Sequence, residues 1–276
     1  MNLNFFSVLK YYFVRLIERI PILQIVIYNL ISNFHFFFPH EKDYHGLKKL
    51  IKKNEKRDFI DVGGNIGLST IGFRQLGYKN KIFIFEPDKN YCIKKLRKLK
   101  NKISNIKIYN FALSNKNEKK KIYQAFFCGI NMHFLSSFNK NYLLSIINQV
   151  YRYYKFLFKI KSQLLNLKKY DDLKLSIKPC FIKIDVEGYD HKVIKGMMKS
   201  IKKFKPLILV ELNKENFFEI NEILKKNYWP YLFFFDEKKF LKINDKLIKD
   251  ISKNFKRDFN FYMPRNVYFI PKKFTF

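Results

Sequence analysis

A chain of 276 residues, 47% hydrophobic, is long enough for one large domain with additions and too apolar to be a disordered polyelectrolyte. Its formal net charge of +32 points toward anionic partners. Yet Arg is scarce, the lysines are scattered, and Lys, Asn, Ile, Phe and Tyr are all inflated, so compositional drift explains the charge better than specific phosphate reading, which favours the Arg fork. Cys92, Cys128 and Cys180 form no C-x-x-C pair, which excludes a disulfide framework or zinc site on pattern and fits a reducing, cytoplasmic setting.

The chain opens on an apolar stretch, Phe5 to Phe38, whose first half is interrupted by Lys10, Arg15, Glu18 and Arg19. Pro21, Gln24, Asn29, Asn33 and His35 dilute the second half, and no small-residue cleavage site follows. Three readings stay open: an amphipathic helix packed on the main domain, a helix in the membrane interface, and a span. Residues 1–45 are set apart on this basis from a domain over 46–276.

From residue 58 onward strand-like apolar runs alternate with lysine-rich helical patterns. "DFIDV" reads as a buried strand, "GLSTIGFRQLG" as a helix ending on a glycine, and "KIFIFEP" as a second strand stopped by Pro87. A helix over "DKNYCIKKLRKLK" and a third strand over "NIKIYNFAL" follow. Residues 124–179 break the alternation and read as an insertion with one amphipathic helix, "YLLSIINQVYRYYKFLF". "FIKIDVEG" is a fourth strand, "HKVIKGMMKSIKKF" a helix, and "PLILVEL" a fifth strand before the helix "ENFFEINEILKKNYW". "YLFFF" and "NVYFIP" are two late strands. Strands apolar on both faces, alternating with helices, imply an α/β fold with a parallel sheet covered on both sides and an antiparallel last strand.

Ligands of such sheets bind at the carboxyl ends of the strands. There "FIDVGGNIGLST" gathers glycines in a chain otherwise poor in them. Gly63 and Gly67 let backbone approach a ligand without a Cβ, and Asn65 tolerates a left-handed conformation. The spacing does not fit the dinucleotide G-x-G-x-x-G pattern. It resembles the looser turn of S-adenosylmethionine enzymes, in which Asp61 would hold the methionine ammonium directly or through water. Glu86 closes the second strand, where an acid accepting from ribose hydroxyls is expected. A plain helix-capping acid is the alternative.

On the fourth strand Lys183, Asp185 and Glu187 share one face, and Ile182, Ile184 and Val186 the other. Three charges on one face of a central strand call for pairing or use. The structural alternative is a buried Lys183–Asp185 ion pair with Glu187 capping the next helix. The functional reading has a carboxylate take the proton of a methyl acceptor. His191 reads as solvent-facing, Glu211 as a substrate contact or helix cap, and Asp171 and Asp172 as helix caps.

The strings "DVGGNIG", "FEPD", "NFALS", "KIDVEGYDHKVIKG" and "ILVEL", in that order and spacing, resemble the FkbM-type family of S-adenosylmethionine-dependent methyltransferases. The resemblance runs from about residue 58 to residue 212. It implies a seven-stranded Rossmann-like fold and methylation of hydroxyls on sugars, glycolipid or polysaccharide precursors, or related metabolites. Carried over by position, Asp61, Gly63, Asn65, Gly67 and Glu86 would bind S-adenosylmethionine, with Ala112 near the adenine. Lys183, Asp185 and Glu187 would be catalytic, and no metal is implied. Gly64 stands where alanine is usual, which reads as harmless. The partners expected are a small-molecule or glycan- or lipid-linked substrate, no specific nucleic acid, and a peripheral contact with the cytoplasmic face of a membrane through residues 5–38. Competing functions are a nicotinamide-dependent oxidoreductase and a non-catalytic basic module for nucleic acid or membranes.

Overall fold

The computed structural model describes residues 19–34, 41–89, 92–186, 188–212, 214–244 and 264–274. The chain divides into two compact units. One comprises residues 1–34 and 119–165, the other residues 35–118 and 166–276. In chain order the elements are α1 (Pro21–Phe34), a 3-10 turn Lys42–Gly46, α2 (Leu47–Leu50), β1 (Asp58–Val62), α3 (Leu68–Gln75), β2 (Ile82–Phe85), α4 (Cys92–Lys102), β3 (Ile106–Tyr109) and β4 (Ala112–Ser114). Then come β5 (Glu118–Phe127), β6 (Ile130–Ser137), α5 (Lys140–Val150), β7 (Phe158–Lys169), β8 (Pro179–Ile184), α6 (Asp190–Gly196), α7 (Met198–Phe204), β9 (Leu207–Glu211), α8 (Lys214–Leu224), β10 (Tyr228–Phe234), β11 (Lys239–Lys242) and β12 (Asn266–Pro271).

The larger unit is built on one sheet of order β11-β10-β12-β9-β8-β1-β2-β3. β3, β2, β1, β8 and β9 pair in parallel, while β12 runs antiparallel to both β9 and β10. The sheet has eight strands, not the seven expected. The extra strand is β11, hairpinned antiparallel to β10 at the edge. Its sequence, Lys-Phe-Leu-Lys, alternates too little to announce a strand, and pairing with β10 supplies what local pattern does not.

Each central strand sends alternate residues to opposite faces. Phe59, Phe181, Leu207 and Leu209 join one core with α2, α3 and α4. Ile60, Ile182, Ile184, Ile208 and Val210 join another with α6, α7 and α8. Helices on both sides leave only the strand ends for a ligand. The third predicted strand is two: after β3 the chain leaves the sheet, and β4 pairs in parallel with the end of β7. The predicted helix "HKVIKGMMKSIKKF" is also two, breaking at Met197. Asp171 caps α7, accepting from the Lys199 and Ser200 amides at 2.8 and 3.1 Å.

The smaller unit has its own core of Ala125, Phe127, Met132, Leu135, Leu143, Ile147 and Tyr151, with Ile25 of α1 packed against it. β5 and β6 form an antiparallel hairpin. α5 ends at Val150, eight residues short of the expected helix, and the chain passes through a turn and a 3-10 segment, Lys155–Leu157, into β7. No described helix is long and apolar enough to cross a membrane.

Candidate active site

Strand order reverses between β1 and β8, because β2 and β3 lie on one side of β1 and the chain then returns to build the other. This is the switch point where a doubly wound sheet leaves a crevice. In register, Glu86, Gly63, Asp185 and Glu211 each sit one step past the last paired residues of β2, β1, β8 or beside the end of β9, and Asn266 pairs with Glu211. One row along the carboxyl edge thus gathers Gly63, Glu86, Asp185 and Glu211, all singled out by sequence.

After Val62 the chain turns through Gly63 (φ 77°), Asn65 (φ 46°) and Gly67 (φ 92°) into α3. A Cβ on Gly63 would lie 1.9 Å from the Asp185 carbonyl oxygen, and one on Gly67 would lie 2.4 Å from Leu99 Cδ2. Both missing side chains make room for the protein itself, which corrects the expectation that they make room for a ligand. Gly64 is not interchangeable with alanine either, since a Cβ there would meet Ile84 Cγ2 at 2.2 Å. Gly63 and Asn65 keep partial exposure.

Glu86, only 6% exposed, reaches back into this turn. Its Oε2 accepts the Asn65 amide at 2.8 Å and its Oε1 the Asp88 amide at 2.8 Å. Burial pushes its carboxyl up to about 7, against the opposing pull of these amides. Asn110, absent from the sequence reading, donates through Nδ2 to the carbonyls of Glu86 and Pro87 at 3.0 Å each. It anchors the segment that leads to half-buried Ala112. β4 is in turn pressed on α6, where a Cβ at Gly196 would lie 2.0 Å from the Ser114 carbonyl oxygen.

Asp61 is fully buried and pairs in register with Lys183 of β8. Its Oδ2 accepts from Thr70 Oγ1 at 3.1 Å, and its buried Oδ1 has no hydrogen-bond partner among the described residues. Burial raises its pKa and the Lys183 ammonium opposes that rise. Lys183 donates to Asp185 Oδ2 at 2.9 Å, with side-chain exposures of 3% and 35%. Burial alone would discharge this lysine, but the attraction of Asp185, Tyr44, Asp61 and Glu41 outweighs it and sets its pKa well above the usual value. Glu187 lies outside the described residues.

Further carboxylates crowd the same edge. Asp190 accepts from the Val186 amide at 3.1 Å and from Asn216 Nδ2 at 3.0 Å, and burial raises its carboxyl to about 6. His191 is not solvent-facing: Nδ1 lies 3.1 Å from Asn216 Oδ1 and Nε2 lies 3.5 Å from a Glu219 oxygen. Glu211 has exposed surface, yet desolvation by the surrounding protein lifts its carboxyl to about 7, with Asp185 and Asp190 adding to the rise. Asp43, brought from the 3-10 turn, accepts the Arg265 and Asn266 amides at 2.8 and 2.9 Å.

Residues 61–233, well over half of the chain, match the sequence model of the family described as Methyltransferase FkbM domain. The chain belongs to this family. The crystal structure of methyltransferase FkbM from Methylobacillus flagellatus KT is similar with a TM-score of 0.51 at 14% identity, over 86% of this chain and 50% of that one. This chain therefore spans half the length of that protein, and the likeness is one of fold. More distant are precorrin-6y C5,15-methyltransferase from Geobacter metallireducens GS-15 (TM-score 0.35, 12% identity, 83% and 85% covered) and the N-terminal domain of human METTL16 in complex with SAH (TM-score 0.34, 14% identity, 68% and 61% covered). No curated protein is significantly similar to the chain.

Proposed function

We propose that this FkbM-family chain is an S-adenosylmethionine-dependent methyltransferase that modifies a hydroxyl on a sugar, a glycolipid or polysaccharide precursor, or a related metabolite. The observation that carries the reading is the junction of Gly63 with Asp185 at the switch point, which sets a main-chain turn with a partner acid beside a lysine-held carboxylate. The residues fit the cofactor. Each oxygen of Glu86 accepts one amide and keeps acceptor capacity for ribose hydroxyls. The orphaned Asp61 Oδ1 suits a buried water or ammonium; as Asp61 is closed to solvent, a ligand meets it through water or the surrounding backbone. Gly63, Asn65 and Gly67 shape the turn, and Ala112 borders the adenine.

S-adenosylmethionine, when bound, supplies a sulfonium methyl group open to in-line displacement by an oxygen nucleophile. The chain's own part is to orient the acceptor and take its proton. Lys183 fixes Asp185 through Oδ2, leaving the partly exposed carboxylate to receive the proton. Glu211, with a pKa near neutrality, stands one strand away to receive or pass it on. Glu187 completes the catalytic string. A cytoplasmic location, with peripheral membrane contact through residues 5–38 and no specific nucleic-acid partner, goes with this reading.

Calorimetry with S-adenosylhomocysteine tests it. The parent binds, and Glu86→Ala loses most of the binding. No binding by the folded parent removes the cofactor and with it the reading. Mass-spectrometric detection of a product one methylene heavier identifies the acceptor. Methyl transfer to that acceptor that is unchanged in Asp185→Asn excludes Asp185 as the base.

A further inference from the structure

The smaller unit has an unusual surface. Of the 13 large apolar side chains that stand exposed among the described residues, ten belong to it. The most exposed are Tyr153, at 70%, and Phe156, at 77%. Both lie on the turn between α5 and β7, followed by exposed Leu157. The Cys128 amide donates to the Leu157 carbonyl at 3.1 Å, which ties the β5–β6 hairpin turn and its exposed Ile130 to this tip. The tip is held from behind. Tyr151 packs in the unit's core and donates to Gln24 of α1 at 2.7 Å, and Tyr154 sets its ring edge-on to Phe127. Four apolar side chains therefore project from an anchored point rather than from a loose loop.

Charge surrounds them in one sign only. Residues 119–165 contain seven lysines and one arginine, while none of the chain's 23 acidic residues falls there. Arg152, Lys155, Lys159 and Lys161 are exposed on or beside the tip, and the Arg152 guanidinium lies 4.5 Å from the Tyr153 ring centroid. The larger unit instead collects carboxylates along its sheet edge, so drift toward lysine across the whole chain does not explain a segment stripped of acids.

We infer that the tip formed by residues 128–130 and 152–157 inserts into the interface of an anionic lipid bilayer. Aromatic and aliphatic side chains enter the headgroup–acyl boundary, and the basic ring around them is drawn to lipid phosphates. A second copy of the chain would set the same positive surface against itself. Single-stranded nucleic acid would answer the charge and stack on Tyr153 and Phe156, but it gives the projecting aliphatic Ile130 and Leu157 no apolar medium. This inference is independent of the methyl-transfer reading and concerns a segment other than residues 5–38.

Flotation of the full-length protein separates the occupants, with vesicles of phosphatidylcholine alone or of equal parts phosphatidylcholine and phosphatidylglycerol. The parent floats with the anionic vesicles, and raised salt weakens this. Tyr153→Ser/Phe156→Ser/Leu157→Ser, all at exposed positions, lowers partitioning at least about tenfold with an unchanged thermal transition. Arg152→Gln/Lys155→Gln/Lys159→Gln lowers it for anionic vesicles. Triple-serine protein that floats as the parent does overturns the proposal, as does equal flotation on neutral vesicles. A concentration-dependent dimer that the triple-serine change abolishes, with no flotation of the parent, assigns the tip to a second copy instead. S-adenosylhomocysteine binding is expected to be the same in the parent and both variants, so loss of flotation leaves the enzymatic reading where it stands.

Discussion

On the β1–β2 side of the switch point the contacts are made by main chain, and on the β8–β9 side by charged side chains. Asn65 and Asp88 offer amides to Glu86, and Gly63 abuts the Asp185 carbonyl with no side chain between them. One strand over, Lys183 is a buried cation among Asp61, Asp185 and Tyr44, and Asp185 lies close enough to both Asp190 and Glu211 to add to the rise that burial gives them. The first half depends on atoms that are missing, the second on charges that must balance. The two halves should therefore fail in different ways.

The largest effect is expected on the main-chain side. Gly63→Ala combines a left-handed backbone with a Cβ overlapping a carbonyl oxygen that belongs to the neighbouring strand. Strain and overpacking together cost about 3–5 kcal/mol, enough to lower the unfolding midpoint steeply or prevent folding. Gly63→Ala protein with parental denaturant stability would mean the turn is looser than its contacts indicate. Lys183→Met comes next. It keeps the volume but strands Asp61 and Asp185. Partial exposure of Asp185 relieves some of this, so the loss sits near the low end for a broken buried pair, about 3 kcal/mol. Asp185→Asn added to Lys183→Met should recover part of that loss, which an apolar packing role for Lys183 would not allow.

This contrast also marks what the sequence made legible. The parallel sheet was readable because strands such as Ile82–Phe85 and Leu207–Val210 are apolar on both faces, and the glycine turn because so few glycines occur elsewhere. Features that rest on distant partners were hidden. Asp43 meets Asn266 across 223 residues, and no local pattern near either announces the other. His191 looked like a solvated helix residue because Asn216 and Glu219, which engage it, belong to α8. The break after Gly196 was masked by unbroken helical periodicity; the second helix starts anew at Met198, where Asp171, distant in sequence, accepts the Lys199 and Ser200 amides. The reason given for Gly63 and Gly67 erred for the same cause, since their neighbours were not yet in view.

A smaller effect sharpens the side-chain half. Asn216 donates to Asp190 and lies within bonding distance of His191. Asn216→Ala leaves Asp190 Oδ2 without this donor, and the stability cost is about 1–2 kcal/mol. Asn216→Ala with unaltered stability would show that solvent reaches Asp190 readily.

The last effect is a pH dependence of the main-chain half. Glu86 has a carboxyl near 7 in the folded protein against about 4.5 for an ordinary glutamate. The folded state therefore holds this proton more tightly than the unfolded one. The contribution to stability is fully present below pH 4.5 and is lost as pH rises through 7. Ligand binding should follow the opposite trend, because ribose hydroxyls donate more strongly to the ionised form. The affinity for S-adenosylhomocysteine should rise by roughly tenfold between about pH 6 and pH 8 and then level off. Glu86→Gln isolates the group from other titrations, including those of Asp43, Asp190 and Glu211. Its affinity should be lower throughout and should lack that step, and its stability should decline less than the parent's from pH 5 to 7. A step of the same size in Glu86→Gln would move the titration from β2 to the carboxylates of β8 and β9, and the side-chain half would then govern cofactor binding as well.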